Sequence, residues 1–103
     1  MRSHNRCRTA GVNRNTTKYI FEEVNRLRSS FDRLMSVHDR GFKEKNEGLK
    51  DILSRIRVLH SHAMNVVDQV QVRTLPLIVS SIMHLQSQVV HSLEDVQELE
   101  KKA

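Results

Sequence analysis

The chain has 103 residues and a formal net charge of +5, and it contains no Trp, one Tyr, three Phe, three Gly and one Pro. A chain of this length forms one small domain, and so few Gly and Pro residues exclude the many turns of an all-β or α/β fold. We therefore predict an all-α protein with two or three long amphipathic helices that carry heptad seams. These helices would form an extended coiled coil or a helical hairpin or bundle.

The N-terminal residues 1–14 contain four arginines, no acidic residue and no hydrophobic period. We expect a disordered basic arm here, followed by a single helical coiled-coil region over residues 15–103. The alternative is an arm that contacts nucleic acid or, peripherally, an anionic membrane surface. Nucleic-acid binding is disfavoured because the basic residues farther along are interleaved with acids. The single Cys7 excludes an internal disulfide, and no apolar run is long enough to span a membrane.

A first helix is predicted over about residues 16–40 from apolar residues spaced four and three apart. The side chains of Asn15, Thr16 and Thr17 are candidate N-caps, and Gly41 is a candidate left-handed C-cap. We favour a break or bend between Gly41 and Gly48. The alternative is one long helix that absorbs a four-residue stutter, with each glycine costing about 1 kcal/mol. The spaced apolar residues are Ile20, Val24, Leu27, Phe31 and Leu34.

Two further helices are predicted over about residues 43–72 and 74–102. Their seams are separated by a five-residue step from Val70 to Leu75, which breaks the heptad phase. Pro76 lies at this joint, where proline is tolerated only in a first helical turn. A third helix that starts near Thr74 is therefore favoured over a kinked continuous helix.

The seams of the second and third helices are narrow, and flanking apolar residues widen them only in part, among them Leu53, Val58, Val67, Val79 and Val90. Alone, the chain could form a loose three-helix bundle, and the last two helices could partly satisfy each other as a hairpin. A multi-chain helical bundle would bury the seams better. We predict that the seams bind other helical subunits, in a hetero-oligomer or homo-oligomer. The predicted seam residues are Leu49, Ile52, Ile56, Leu59, Val66, Val70, Leu75, Ile78, Ile82, Leu85, Val89, Val96 and Leu99.

No residue pattern indicates catalysis, a cofactor or a metal. His60 and His62 are two residues apart, and His84 and His91 are seven apart, whereas a helical zinc pair needs a spacing of four. Neighbouring acids such as Glu94 and Asp95 fit solvated helix positions better than a general acid and base pair. We therefore predict no enzymatic activity.

The segment from Thr74 to Ile78, with the heptad stretch that continues to Lys101, resembles small coiled-coil subunits of the biogenesis of lysosome-related organelles complex. The cappuccino, muted and dysbindin subunits are the members in question. This resemblance implies a cytoplasmic scaffold subunit of an elongated helical hetero-oligomer, acting in trafficking on endosomal or lysosomal membranes. Two alternatives stay open, a cytoskeletal or kinetochore coiled-coil subunit and a helical protein that binds nucleic acid through its basic arm.

Overall fold

The protein consists of three helices, α1 (Arg2–Ser36), α2 (Phe42–Gln69) and α3 (Leu75–Lys102). The computed structural model describes the backbone of residues 2–37, 41–69 and 73–102, and the side chains of residues 15–37, 41–69 and 73–102. These residues contain no strand, so the predicted all-α class is confirmed. The arrangement is a helical bundle.

Helix α1 differs from the prediction at its start. It begins at Arg2, so residues 2–14 are helical, whereas the sequence predicted a disordered arm and a start near Thr16. No proline interrupts this stretch, arginine is a good helix former, and adding a residue to an existing helix is far easier than nucleating a new one. The three predicted N-cap residues therefore lie inside α1. One of them, Thr17, has a buried hydroxyl without a hydrogen-bond partner.

A break separates α1 from α2, as the sequence predicted, but it lies slightly before the expected segment. Helix α1 ends at Ser36 and α2 begins at Phe42. No glycine in the described residues has a positive φ, so the left-handed C-cap predicted for Gly41 is wrong. Gly41 instead precedes α2, where its carbonyl accepts a hydrogen bond from the Lys45 amide at 3.1 Å. In the alternative of one long helix with a stutter, the seam would continue from α1 to α2 through His38. His38 lies outside the described residues.

The joint between α2 and α3 confirms the predicted role of Pro76. The Thr74 carbonyl accepts a hydrogen bond from the Ile78 amide at 3.2 Å, which makes Thr74 the N-cap residue of α3. Pro76 is then the second helical residue, where its missing amide hydrogen would have had no intrahelical partner. At the other end of α3, Lys101 and Lys102 occupy the last turn, where cations interact favourably with the helix dipole.

Each helix runs antiparallel to the one before it in the sequence. Near its start α2 contacts the end of α1, and the side-chain Nε2 of Gln97 in α3 donates a hydrogen bond to the side-chain Oδ1 of Asn46 in α2 at 3.3 Å. The bundle is elongated, with extents of 65 × 20 × 16 Å and a radius of gyration of 17.2 Å, against about 13 Å for a compact chain of this length. Its core is entirely apolar among the described residues: Ile20, Val24, Leu27, Leu34, Leu49, Ile52, Leu53, Ile56, Leu59, Ala63, Leu75, Ile78, Ile82, Leu85, Val89 and Val96.

Gly48 has a packing role that its sequence context does not show. It lies inside α2, and a Cβ atom placed on it would be 2.7 Å from Cδ2 and 3.1 Å from Cδ1 of Leu34. Leu34 is buried, and its methyl groups would have to shift to make room for such an atom. The missing side chain thus allows α1 and α2 to approach closely at this level.

Candidate functional site

The predicted partner-binding seam is largely occupied within the chain itself. Of the seam residues, Val66 is half-buried, Leu99 is 52% exposed, and Val70 lies outside the described residues. A side chain packed inside its own bundle can reach a partner only if the bundle opens. Binding of a partner at the seam stays a prediction. The seam residues buried inside the bundle are Leu49, Ile52, Ile56, Leu59, Leu75, Ile78, Ile82, Leu85, Val89 and Val96.

Helix α1 covers only one side of the hairpin formed by α2 and α3. The Tyr19 and His62 rings meet edge to face with their centroids 6.4 Å apart, and Leu34 contacts Gly48. A groove of about 330 Å³ between α1 and α2 is lined by Ser30, Arg33, Leu34, Gly48, Asp51, Ile52 and Arg55. The α2 residues in these contacts all lie on the side of α2 that carries Arg55.

The opposite side of the hairpin carries an apolar surface. Arg57 lies two residues from Arg55, which is about 200° of rotation around α2, and it points away from α1. A groove of about 460 Å³ on this side is lined by α2 and α3 alone, through Arg57, His60, Met83, Gln86, Ser87 and Val90. Helical spacing extends the same surface along both helices. We call it the open face and define it as Leu53, Arg57, His60, Met64 and Val67 of α2, with Val79, Met83, Gln86, Val90 and Leu93 of α3.

The open face is more apolar than an ordinary helix exterior. Met83 is 57% exposed, while Val67, Val79, Val90 and Leu93 are partly buried and pack against the core. Its α3 residues are spaced four, three, four and three apart from Val79 to Leu93. This is a second heptad-like stripe beside the buried one. Val79 and Leu93 lie 14 residues apart, so the stripe is about 21 Å long at 1.5 Å per residue.

The charge on the open face is one-sided. Arg57 is exposed, and the ion pairs among the described residues join Arg26 to Glu23 and Lys102 to Glu98, so none involves Arg57. Helix α3 has no Asp, Glu, Lys or Arg from Leu75 to Leu93, so it offers Arg57 no carboxylate across the groove. The arrangement can bind an apolar helix and hold a carboxylate at its edge.

Sequence reasoning identified parts of this surface without recognising it. The heptad pattern treats Leu53, Val67, Val79 and Val90 only as residues that widen the buried seams, and it gives Met83 no role. The signal that could have found the open face is the uncharged stretch from Leu75 to Leu93. An amphipathic helix with one solvated face normally carries charges there, so an absence over five turns indicates that both faces are covered.

A second groove lies on the α1 side of the hairpin. Its volume is about 520 Å³, and Tyr19 and Val58, which line it, are 54% and 69% exposed. Glu23 in its wall is already paired with Arg26. This groove has no group of side chains suited to chemistry, and its charges are of both signs, from Glu23 and Arg55.

Two further features are absent from the described part of the chain. No three His, Cys, Asp or Glu side chains there come together in a way that could hold a metal ion. None of the helices there combines the length and the apolar character that crossing a membrane requires.

Comparison of the chain with protein-family models, with curated proteins and with solved structures finds no match. The resemblance to subunits of the biogenesis of lysosome-related organelles complex therefore stays a prediction from the sequence.

Proposed function

We propose that this chain is a non-enzymatic helical scaffold subunit, which contributes its three-helix bundle to a larger assembly by binding helices of other proteins. The observation that carries this proposal is the open face. Three helices already close the core, yet a largely apolar stripe that includes the 57% exposed Met83 remains on the outside. Exposed apolar patches of this kind on small proteins mark interaction sites.

The non-enzymatic part of the proposal rests on the sequence, which has no motif of a catalytic, cofactor or nucleotide site. The cellular setting rests on the resemblance of Thr74–Lys101 to the organelle-biogenesis subunits. It would place the chain in the cytoplasm, within a complex on endosomal or lysosomal membranes. A cytoskeletal or kinetochore assembly would use the same surface, and the identity of the partners separates these settings.

The test is affinity purification of the full chain from the cells that contain it, followed by chemical cross-linking and identification of the partners. We expect one or more helical proteins in fixed stoichiometry, with cross-links to lysines of the bundle such as Lys50. Purification of the chain without any stoichiometric partner, as a monomer by light scattering, would contradict the proposal.

A second candidate function has a specific observation in its favour. Because α1 begins at Arg2, the arginines at positions 2, 6, 8 and 14 lie along one helix that has no acidic residue before Glu22. A basic helix can bind the phosphates of nucleic acid. Binding of duplex DNA or RNA should then weaken steeply with added salt and be lost when residues 1–14 are deleted. Equal binding with and without these residues would exclude this function.

A further inference from the structure

The outer surface of α3 indicates that something covers it. The nineteen residues from Leu75 to Leu93 include no Asp, Glu, Lys or Arg, although Met83 on the open face is 57% exposed. Well-behaved surfaces of small domains contain about 25–35% charged residues. Only one side of this uncharged stretch is buried against the bundle.

The shape of the open face fits one helix. Its groove lies between two antiparallel helices, and its α3 stripe is two heptads long. Knobs of a fourth helix can occupy such a groove with apolar residues at positions i, i+3, i+4 and i+7. A fourth helix here would complete a four-helix bundle, with α1 on the opposite side of the hairpin.

Arg57 restricts the charge of that helix. Burying a guanidinium without a partner is strongly unfavourable, so an occupant that covers the groove must bring a carboxylate to it. A second copy of this chain that packs open face to open face does not supply one. If like helices face each other, Arg57 meets the open-face residues of the other α2, which include no acid. If α2 faces the other copy's α3, Arg57 meets the uncharged stretch.

We propose that the open face binds an amphipathic helix of another protein, with apolar residues at heptad spacing and a glutamate or aspartate beside Arg57. This inference rests on the proposed scaffold function and names the chemistry of the partner. A lipid surface is a poorer occupant, since helices that lie on membranes carry lysine or arginine along the polar face and bulky aromatic anchors. The stretch from Leu75 to Leu93 has neither.

The experiment uses the full chain and a fluorescent 21-residue peptide with leucine at heptad positions a and d, glutamate at e and g, and alanine elsewhere. Repulsion between its glutamates keeps the peptide from pairing with itself at neutral pH. A second peptide has lysine in place of glutamate. Fluorescence anisotropy measures the binding of both peptides to the native chain and to variants.

We expect the glutamate peptide to bind the native chain more tightly than the lysine peptide. Met83→Glu should weaken binding at least about tenfold, because it would bury a carboxylate without a partner. Arg57→Glu should reverse the preference between the two peptides. Leu77→Glu is the matched control, since Leu77 is exposed on the same uncharged stretch but about 120° of rotation around α3 from Met83. It should leave binding unchanged.

Three outcomes would overturn the inference. The first is no binding of the glutamate peptide, or binding that Met83→Glu and Arg57→Glu leave unchanged. The second is a native dimer, detected by light scattering, that Met83→Glu converts to a monomer. The third is binding to phosphatidylserine vesicles that depends on Met83. If stoichiometric partners stay bound to the Met83→Glu and Arg57→Glu variants, the scaffold function holds and only this inference fails.

Discussion

The contact between Gly48 and Leu34 predicts that the effect of Gly48→Ala on stability changes sign with the residue at position 34. Replacing an interior helix glycine with alanine gains about 1 kcal/mol of helix propensity. Here the new methyl group would lie 2.7 Å from Leu34 Cδ2, and overpacking of this kind costs about 1–3 kcal/mol. Gly48→Ala should therefore range from neutral to about 2 kcal/mol less stable.

The same substitution should become stabilising when Leu34 is shortened. Leu34→Ala alone should cost about 2–3 kcal/mol, the lower part of the usual range, because an open groove beside it lets the site relax. In that background Gly48→Ala meets no clash and should restore about 1 kcal/mol. The two substitutions would then be coupled by about 1–3 kcal/mol.

Urea unfolding followed by far-ultraviolet circular dichroism measures the four free energies of unfolding. Gly41→Ala is the control, since nothing lies within 4 Å of a Cβ placed on Gly41, and its effect should be the same in both backgrounds. If Gly48→Ala changes the free energy of unfolding equally with and without Leu34, to within about 0.5 kcal/mol, the close approach of α1 and α2 is not why glycine occurs at this position.

Three further predictions concern single positions. Thr17→Val should stabilise the chain by about 1 kcal/mol in urea unfolding, because it removes a buried hydroxyl without a hydrogen-bond partner; a loss of stability would show that the hydroxyl is satisfied in solution. Ile56→Asp and Ile82→Asp should unfold the chain, since both side chains are at most 1% exposed, and circular dichroism should show the loss of helix. Met83→Asp should keep the native helix content in the same measurement. A folded Ile82→Asp chain that has lost its partners would instead place the seam between chains. Pro76→Ala should change thermal stability by less than about 1 kcal/mol, because position 76 lies in the first turn of α3; a larger loss would mean that Pro76 holds the joint.

The helices and their main joints were predictable because local signals determine them. The heptad spacing of apolar residues identified the helices, and Pro76 with Thr74 located the start of α3 to within one residue. The start of α1 was not predictable in this way. A stretch without an apolar period has no hydrophobic face to pack against other helices. A neighbouring helix can nevertheless extend through it when no residue stops the extension.

The role of Gly48 depends on the distance between helices, which residue spacing does not contain. Gly48 resembles a helix breaker in the sequence and is a contact point between α1 and α2, so tertiary packing outweighed a local preference there. The interior position of Thr17 has a different cause, since a threonine that suits an N-cap is placed inside the helix once the helix begins earlier.

The three-helix arrangement changes where a partner of this chain should be sought. A heptad seam in a sequence indicates a helix that packs against another helix. It does not indicate whether that second helix belongs to the same chain or to a partner. Here the seam at Ile56 and Ile82 is satisfied within the chain, so a charge placed on it tests folding before it tests assembly. Residues that can report on assembly must be exposed, apolar and outside the core, and Met83 with its charged neighbour Arg57 across the groove meets these conditions. Because substitutions there leave the core intact, a loss of partners would identify an interface, whereas the same loss in a seam variant would not.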